Sequence, residues 1–248
     1  MNAVVSTITQ LLPAEIITTD PEQITLYSQD VFTVGPPICA VVRPRNIDEV
    51  QALVRACLER GTPIVTRGGG MSYTSGYIAS APDSVLIDMA SMDAIVEVNL
   101  EDRYVTVEAG CSWQKLYEHL APLGVRTAYW GTLSGRYATV GGGLSQNSIF
   151  WGSGQSGTAA DNVLSVSVVT GKADLLETGS AAQQHAAPFT RHFGPDLTGV
   201  FLGDCGALGI KVRATLPLVP LAGAKGYTSF AFEESGPMLR AMAQISRE

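Results

Sequence analysis

Three consecutive glycines, Gly68, Gly69 and Gly70, follow Arg67 at the end of a short β-branched run. Successive backbone N–H groups of a glycine-rich turn converge on a concavity that suits an anion, since no Cβ blocks a close approach. Arg67 adds a positive charge, and Ser72 and nearby hydroxyl groups add donors. A phosphate or diphosphate is the natural occupant, with a tight surface turn as the alternative, because glycine runs are common in turns.

A second glycine-rich stretch, residues 131–163, strengthens the ligand interpretation. It contains a glycine triplet at 141–143 and a further cluster of Gly and Ser at 152–158. A flat aromatic ring that lies against main chain needs a surface without side chains and hydrogen-bond donors at its edge. An isoalloxazine fits this description. One loop for a diphosphate and another for a ring system predict a flavin dinucleotide held between two lobes.

The motifs of other nucleotide-binding and hydrolase folds do not account for the first glycine run. The first glycine run lacks the third glycine of GxGxxG, and neither GxxxxGK[ST] nor GxSxG occurs. These motifs are typical of Rossmann domains, P-loop proteins and serine hydrolases. An NAD-dependent dehydrogenase is therefore less well supported than a flavoprotein, and so is a protein whose glycine turns bind nothing.

The composition indicates a globular protein with no nucleic-acid or membrane partner. Of the 248 residues 46% are hydrophobic and 16% charged, and the net charge of −7 leaves no concentrated basic face. No segment is long enough to span a bilayer and no basic leader precedes the first apolar residues, so we expect a cytoplasmic protein. Cys39, Cys57, Cys111 and Cys205 have no metal-ligand spacing and the three histidines form no HExxH pair. We therefore assign no metal and expect buried free thiols.

The segment before the first triplet predicts a strand, a helix and a second strand. Residues 39–42 are an apolar run, and Asn46 caps the following helix with Glu49 in the capping-box position. Gly61 ends the helix, and residues 63–66 return as a parallel strand whose carboxyl end carries the glycines. One apolar face of the helix is formed by Val50, Leu53, Val54, Cys57 and Leu58.

Further patterns complete a first α/β lobe over residues 1–125. Strands are predicted at 85–89, 95–98 and 104–108. A helix capped by Ser112 follows and ends near Gly124.

Two-residue periodicity predicts a second, more β-rich lobe over residues 126–222. The clearest strands are "VLSVSVVTG" and "GIKVRATLPLVP". In the latter we expect Lys211, Arg213 and Thr215 to face solvent. The opposite, buried face is predicted to consist of Ile210, Val212, Ala214, Leu216 and Leu218. Residues 223–248 are interpreted as the start of an incomplete cap or substrate domain, with a strand and then a helix capped by Ser235.

Three blocks of the sequence, in order, carry a family resemblance. They are "AVVRPRNIDEVQALVRACLERGTPIVTRGGGMS", "TVGGGLSQNS" with "DNVLSVSVVTG", and "DLTGVFLGDCGALGIKVRATLPLVP". Over residues 20–220 the chain resembles the FAD-binding domain of the PCMH or vanillyl-alcohol oxidase superfamily, the FAD-linked oxidases, and is glycolate-oxidase-subunit-like. The resemblance implies an α+β, PCMH-type fold of two α/β lobes: a small sheet containing parallel strands, then a larger, mostly antiparallel sheet, with FAD between them.

The resemblance also implies a set of cofactor-binding residues. The diphosphate loop is Arg67, Gly68, Gly69, Gly70, Met71 and Ser72. The flavin and ribityl chain are lined by Thr132, Leu133, Ser134, Thr139, Gly142, Gly143, Ser145, Gly157 and Thr158. Main-chain contacts are implied for Gly209 and Ile210.

Met71 predicts that FAD is bound without a covalent link. Many members of the family have a histidine at this position that is bonded to the flavin, and methionine cannot form that bond. Cys111 is interpreted as a small buried hydrophobe rather than a second attachment point. Ile149 and Phe150 stand where many relatives have glycine, which implies a bulkier wall beside the ring.

The resemblance implies an FAD-dependent oxidoreductase that takes a hydride from a CH–OH group of a small molecule to flavin N5. No residue is assigned as the catalytic base, and Tyr73, Tyr129, Trp130 and Trp151 serve either the ring or the packing. Family members continue into a cap domain. A non-catalytic flavin-binding module, one subunit of a split enzyme that needs a second chain, and a fragment of a longer polypeptide therefore remain as alternatives.

Overall fold

Two β-sheets form the framework of the protein. The structure is a computed structural model that describes residues 2–129, 131, 134–150, 152–224 and 226–247. The strands are β1 (Ile17–Thr18), β2 (Ala40–Val42), β3 (Ile64–Arg67), β4 (Val85–Asp88), β5 (Ile95–Asn99), β6 (Tyr104–Glu108), β7 (Val125–Thr127), β8 (Ser165–Val169), β9 (Leu175–Glu177) and β10 (Ile210–Pro220). The helices are α1 (Ala3–Leu11), α2 (Pro21–Tyr27), α3 (Ile47–Glu59), α4 (Trp113–Leu120), α5 (Val140–Ser145), α6 (Ser153–Ser156), α7 (Leu197–Val200) and α8 (Ser235–Ile245).

The first sheet carries the first glycine loop. Its strand order is β1-β2-β4-β3, with β4 parallel to both β2 and β3 and β1 antiparallel to β2. The predicted strand, helix and strand are confirmed as β2, α3 and β3, but β4 lies between the two strands. The glycine triplet follows the carboxyl end of β3, where open sheets of this kind place ligands.

The ends of α3 follow the sequence closely. Asn46 Oδ1 accepts the N–H of Glu49 at 2.9 Å, and Gly61 has a φ of +61° just beyond the helix. The Glu49 carboxylate accepts the N–H of Arg45 instead of that of Asn46, so the predicted capping box is half formed. Leu58 is 58% exposed, contrary to the prediction, because it lies at the edge of the buried helix face.

The second sheet begins earlier in the chain than predicted. Its strands have the order β5-β6-β10-β8-β9, with β7 also pairing with β10, and the described pairs are antiparallel. Strands β5 and β6 were expected in the first lobe, but β6 pairs with β10 from Arg213 to Pro217. The change of sheet therefore comes between β4 and β5 rather than at residue 125. Local patterns cannot reveal this pairing, because the partner strand lies about a hundred residues further along the chain.

A bulge in β10 changes which of its side chains are buried. Lys211 pairs with Val168 and Arg213 with Ser167, so the strand has one extra residue between them. Lys211 consequently lies on the same face as Ala214, and it is buried rather than solvent-facing as the regular alternation predicts. Ile210 pairs with Val169 on the opposite face. The burial prediction was therefore wrong for Lys211, because a bulge interrupts the two-residue period. Ile210 is buried as predicted, but it lies on the opposite face from Ala214. Thr215 is also buried, at 3% exposed, although it was expected to face solvent.

Two apolar cores share strand β10. The first packs α1 and α3 against β2 and β4 and includes Ile210 and Val212. The second packs α4 and α5 against the second sheet and includes Leu144 and Leu216. Since β10 contributes to both cores, the two lobes form one packed unit, and this packing fixes the two glycine segments relative to each other.

The C-terminal segment packs little against the rest of the chain. After Leu218 no residue that the structure describes is buried. Among the described residues, the strand predicted near Phe230 does not form, and α8 begins after Glu234 without the predicted Ser235 cap. Within the described part of the chain, no helix has the length and apolar character needed to cross a bilayer.

Candidate functional site

A cavity of about 710 Å³ opens between the two lobes. This volume is within the usual range for small-molecule and cofactor sites. Its wall comes from the end of β3 with the following glycine loop, from the segment around α5, and from the turn that leads into β10. Val31, Met89 and Ala109 also line it. The cleft that the sequence predicts between two glycine segments is therefore present.

Most of the predicted cofactor-binding residues line this cavity. Those that do are Arg67, Gly68, Gly69, Gly70, Met71, Ser72, Ser134, Thr139, Gly142, Gly143, Ser145, Gly209 and Ile210. Thr132 and Leu133, together with Trp130 and Trp151, lie outside the described residues.

Gly157 and Thr158 do not line the cavity. Gly157 has a φ of +79°, and Thr158 caps a short 3₁₀ helix over residues 159–162. The Thr158 N–H donates to the Asp161 carboxylate at 2.7 Å, and this bond lowers the pKa of Asp161. Both residues therefore have a local structural role that explains the glycine and hydroxyl found there.

The first glycine loop supplies unused hydrogen-bond donors. None of the backbone N–H groups of residues 68–72 donates to another residue that the structure describes. The φ of Gly70 is +66°, in the region that favours glycine, and its carbonyl accepts the Tyr77 hydroxyl at 2.9 Å. A run of N–H groups without protein acceptors, at the wall of a cavity, is suited to bind an anion.

Arg67 is a partly buried cation that forms no salt bridge with any acidic side chain the structure describes. Its guanidinium lies 4.5 Å from the ring centre of Tyr27 and 5.4 Å from that of Tyr77, and within the described residues its buried Nε has no acceptor. The nearby Asp88 pairs instead with Arg43, at 3.2 Å, and accepts the Tyr27 hydroxyl at 2.9 Å. Cation–π contacts hold Arg67 in place without neutralising its charge. The predicted positive charge beside the loop is therefore available to an anion.

The second glycine triplet supplies shape rather than donors. The N–H of Gly141 donates to Ala109 O at 2.8 Å, that of Gly142 to Thr139 Oγ1 at 3.2 Å, and that of Gly143 to Thr139 O at 2.9 Å. The sequence predicts that such N–H groups meet the ring edge, but all three donate to acceptors within the protein. What this segment offers a flat ring is therefore a surface free of side chains.

A chain of polar side chains connects the three walls of the cavity. Ser72 Oγ and Thr74 Oγ1 are 3.0 Å apart, and Thr74 Oγ1 donates to Gln146 Oε1 at 3.3 Å. Gln146 Nε2 in turn donates to Cys205 Sγ at 3.7 Å. Gln146 and Cys205 lie within two of the blocks that carry the family resemblance, but no spacing in the sequence indicates either of them as a site residue.

A buried ion pair that no sequence pattern indicates lies at the cavity wall, with Lys211 in the lining and Asp204 behind it. Lys211 lines the cavity, and its Nζ is 2.6 Å from Asp204 Oδ1. Burial lowers the pKa of Lys211, and the hydrogen bond to Asp204 opposes that effect. Within the described lining the charged side chains are those of Arg67 and Lys211, both cationic, in a chain whose net charge is −7.

The large apolar and aromatic side chains near the site lie either at the cavity mouth or in the core. Tyr73, Ile149 and Phe150 line the exposed mouth, which agrees with the bulkier wall that Ile149 and Phe150 predict. Tyr129 is buried outside the cavity lining, 5.5 Å from Trp113 in an edge contact, and burial raises its pKa to about 12. It is a packing residue.

The four free thiols only partly match the expectation of buried cysteines. Cys57 and Cys111 are buried and Cys39 is half-buried, whereas Cys205 is exposed and lines the cavity. Burial raises the pKa of Cys111 to about 11. No group of three His, Cys, Asp or Glu side chains within the described chain could hold a metal ion.

Residues 38–179 match the sequence model of a family described as "FAD binding domain". The chain therefore belongs to this family of FAD-binding domains.

Among curated proteins, it is 34% identical over 178 residues to a mitochondrial D-lactate dehydrogenase [cytochrome] of Arabidopsis thaliana, covering 72% of this chain and 30% of that protein. It is 30% identical over 181 residues to glycolate oxidase subunit GlcD of Bacillus subtilis (strain 168), covering 73% and 37% respectively. The chain thus spans about a third of the length of these curated relatives.

Solved structures confirm the predicted fold. An alkyldihydroxyacetonephosphate synthase superposes with a TM-score of 0.76 at 20% identity, covering 89% of this chain and 44% of that one. A p-cresol methylhydroxylase with substrate bound also has a TM-score of 0.76, at 21% identity and the same coverage. The α+β, PCMH-type arrangement of two lobes predicted from the sequence is therefore correct.

Proposed function

We propose that this chain binds FAD without a covalent bond and is the FAD-binding part of an oxidoreductase that acts on a CH–OH group of a small molecule. The observation that carries the proposal is the unneutralised Arg67 beside the free N–H groups of residues 68–72, at the wall of a cavity between two glycine segments. A diphosphate is the ligand group that this combination suits best.

The residues fit FAD in the following way. Arg67 and the N–H groups after it hold the diphosphate, and the backbone from Thr139 to Ser145 provides a flat surface for the ring. When bound, FAD supplies a two-electron acceptor that takes a hydride at N5. The chain's own part is to bind and orient the cofactor and to exclude water from its inner end.

The described lining of this cavity lacks the side chains that most often act as a catalytic base. That lining contains no Asp, Glu or His side chain. A substrate hydroxyl needs a base within hydrogen-bond reach to lose its proton. We therefore propose that a cap domain or a partner chain supplies the base and most substrate contacts.

Spectroscopy of the purified chain tests FAD binding, and denaturation tests the absence of a covalent link. We expect flavin absorption bands and release of all flavin into the supernatant on acid precipitation. Cys205 lines the cavity, so Cys205→Ser is the matched control for an unexpected thioether link. A colourless protein that stays free of FAD after incubation would contradict the proposal. Flavin that precipitates with the protein would contradict the non-covalent part alone.

Two relatives are named for D-lactate and for glycolate, which supports 2-hydroxy acids as the first substrates to test. Bleaching of the bound flavin by D-lactate or glycolate under anaerobic conditions is the direct measurement. A simple aliphatic alcohol serves as the control.

A second candidate function is an FAD-binding subunit without activity of its own. The exposed apolar side chains of Tyr227, Phe230, Leu239 and Ile245 favour it, because exposed apolar patches mark surfaces that bind another protein. One relative is named as a subunit of glycolate oxidase. Native mass measurement with an activity assay distinguishes the two: a flavin-loaded chain of 26.2 kDa that shows turnover only when a second chain is bound favours the subunit. The cytoplasmic location stays a prediction from the sequence, and several relatives are named as mitochondrial.

A further inference from the structure

Gln146 lies at the centre of the polar chain that joins the walls of the cavity. Its Oε1 accepts the Thr74 hydroxyl at 3.3 Å, and its Nε2 donates to Cys205 Sγ at 3.7 Å. An ideal Cβ on Gly76 would overlap Nε2, so the amide occupies the space that a side chain at position 76 would fill. The four members of the chain, Ser72, Thr74, Gln146 and Cys205, all line the cavity. Gln146 therefore connects the first glycine loop to the turn before β10.

The bond between Thr74 and Gln146 fixes the direction of the neighbouring hydrogen bond. A hydroxyl group has one proton to donate, and Thr74 gives its proton to Gln146 Oε1. Ser72 must therefore be the donor in its 3.0 Å contact with Thr74 Oγ1. In this direction Ser72 has no proton left and can offer a ligand only lone pairs. An anion would be repelled there, although the sequence predicts a donor at Ser72.

A half turn of the Gln146 amide reverses the whole chain. The oxygen and nitrogen atoms of the amide are nearly identical in size, so the turn exchanges an acceptor for a donor and keeps the same neighbours. Nε2 then donates to Thr74, Thr74 donates to Ser72, and the Ser72 proton is free for a ligand. At the other end the Cys205 thiol donates to Oε1. Glutamine suits this position because it carries both a donor and an acceptor.

An anionic ligand favours the reversed direction. Arg67 and the free N–H groups of residues 68–72 attract an anion to the loop that contains Ser72. A ligand that fills the cavity excludes water from these side chains, so an opposed or missing hydrogen bond becomes costly. A phosphate oxygen beside Ser72 accepts a proton in one direction of the chain and faces lone pairs in the other.

We propose that Gln146 is a positioning residue for the diphosphate of FAD: it acts through Thr74 on Ser72, and its amide turns over when the ligand binds. The turn makes Ser72 a donor to the phosphate and makes Cys205 a donor to Gln146. This inference rests on the proposed function, because it takes FAD as the source of the anion. It gives a role in binding to a side chain that reaches the glycine loop through hydrogen bonds alone.

A double-mutant cycle on FAD affinity tests the proposal. Gln146→Glu keeps the shape of the side chain, but a carboxylate only accepts, so it locks the chain in the direction that withholds the Ser72 proton. In a Ser72→Ala background the same substitution changes the charge but has no proton to withhold. We expect Gln146→Glu to cause an about fivefold larger loss of affinity with serine than with alanine at position 72, the contribution of one hydrogen bond. Equal losses in the two backgrounds would overturn the inference, since the carboxylate would then act by charge alone.

Infrared absorption of the S–H stretch supplies a readout that a merely structural role would not change. The Cys205 band is isolated as the difference between the unmodified chain and Cys205→Ser. We expect saturation with FAD to shift this band to lower frequency, because the thiol becomes a hydrogen-bond donor, and we expect no shift in Gln146→Met. A band that FAD leaves in place, or one that shifts equally in Gln146→Met, would contradict the reversal.

The same titrations separate this inference from the proposed function. If the unmodified chain does not bind FAD, the proposed function fails and the inference with it. If the chain binds FAD but fails the mutant cycle or the infrared test, the inference alone is defeated.

Discussion

The backbone of Gly69 packs so closely against Tyr137 that an ideal Cβ at position 69 would overlap the Tyr137 carbonyl oxygen. One residue earlier, a Cβ on Gly68 would overlap Thr139 Oγ1 and lie 3.7 Å from Gly142 Cα. The two glycine segments therefore meet main chain to main chain across the lobe boundary. The first triplet serves this contact as well as the surface that faces the ligand.

Replacing Gly69 by alanine should move the two glycine segments apart where they are in contact at the lobe boundary. A Cβ that meets backbone forces the two segments apart, because main chain cannot rotate away as a side chain can. We expect Gly69→Ala to lower FAD affinity at least tenfold and the melting temperature by several degrees. Fluorescence titration with FAD and a thermal melt measure both effects.

The matched control is Gly171→Ala, at a position with open space around the added methyl group and no positive φ. It should leave FAD affinity unchanged. Equal behaviour of the two variants would show that the close approach of Gly69 has no role in binding.

Arg67 should contribute charge to cofactor binding rather than structure to the fold. We expect Arg67→Met to weaken FAD binding by roughly 10- to 100-fold, which corresponds to about 1.5–3 kcal/mol for a charge-assisted hydrogen bond. Raising the salt concentration should weaken FAD binding by the unmodified chain more than by the variant. Arg55→Met, at an exposed position of α3, is the control for a loss of one positive charge. The same loss of affinity in both variants would contradict a local role for Arg67.

Local signals in the sequence predict much of the first sheet and of the glycine loop. The caps at Asn46 and Ser112 and the left-handed glycines at 61 and 124 act within a few residues, so the sequence determines them directly. The three-block resemblance correctly brings the loop after Arg67 and the α5 segment to one cavity.

Features that depend on distant pairing could not be predicted in this way. Lys211 is buried because a bulge breaks the alternation of β10, and a bulge depends on the register with β8. Strands β5 and β6 join the second sheet because β10 pairs with β6, far along the chain. The salt bridge between Lys211 and Asp204 depends on the burial of Lys211 by this bulge in β10, so no pattern of spacing indicates it.

Tyr27 should support the site through its ring and the fold through its hydroxyl. The ring lies 4.5 Å from the Arg67 guanidinium, while the hydroxyl donates to Asp88 at 2.9 Å and accepts from Arg43 at 2.6 Å. We expect Tyr27→Phe to keep FAD affinity within twofold, because the cation–π contact survives, but to lower stability by about 1 kcal/mol. Tyr27→Leu should also weaken FAD binding severalfold. If the Phe variant loses as much affinity as the Leu variant, the hydroxyl network and not the ring positions Arg67.

The cysteines should differ sharply in their rate of alkylation, and bound FAD should protect one of them. Burial raises the pKa of Cys57 to about 12 and that of Cys39 and Cys111 to about 11, so these thiols stay protonated, and thus unreactive, at pH 8.5. Cys205 is exposed at the cavity wall, so iodoacetamide should modify it first, and saturation with FAD should slow that reaction at least fivefold. Peptide mass spectrometry over time gives each rate, and Cys205→Ser should abolish the fast phase. A rate at Cys205 that FAD leaves unchanged would mean that the ligand does not cover this wall.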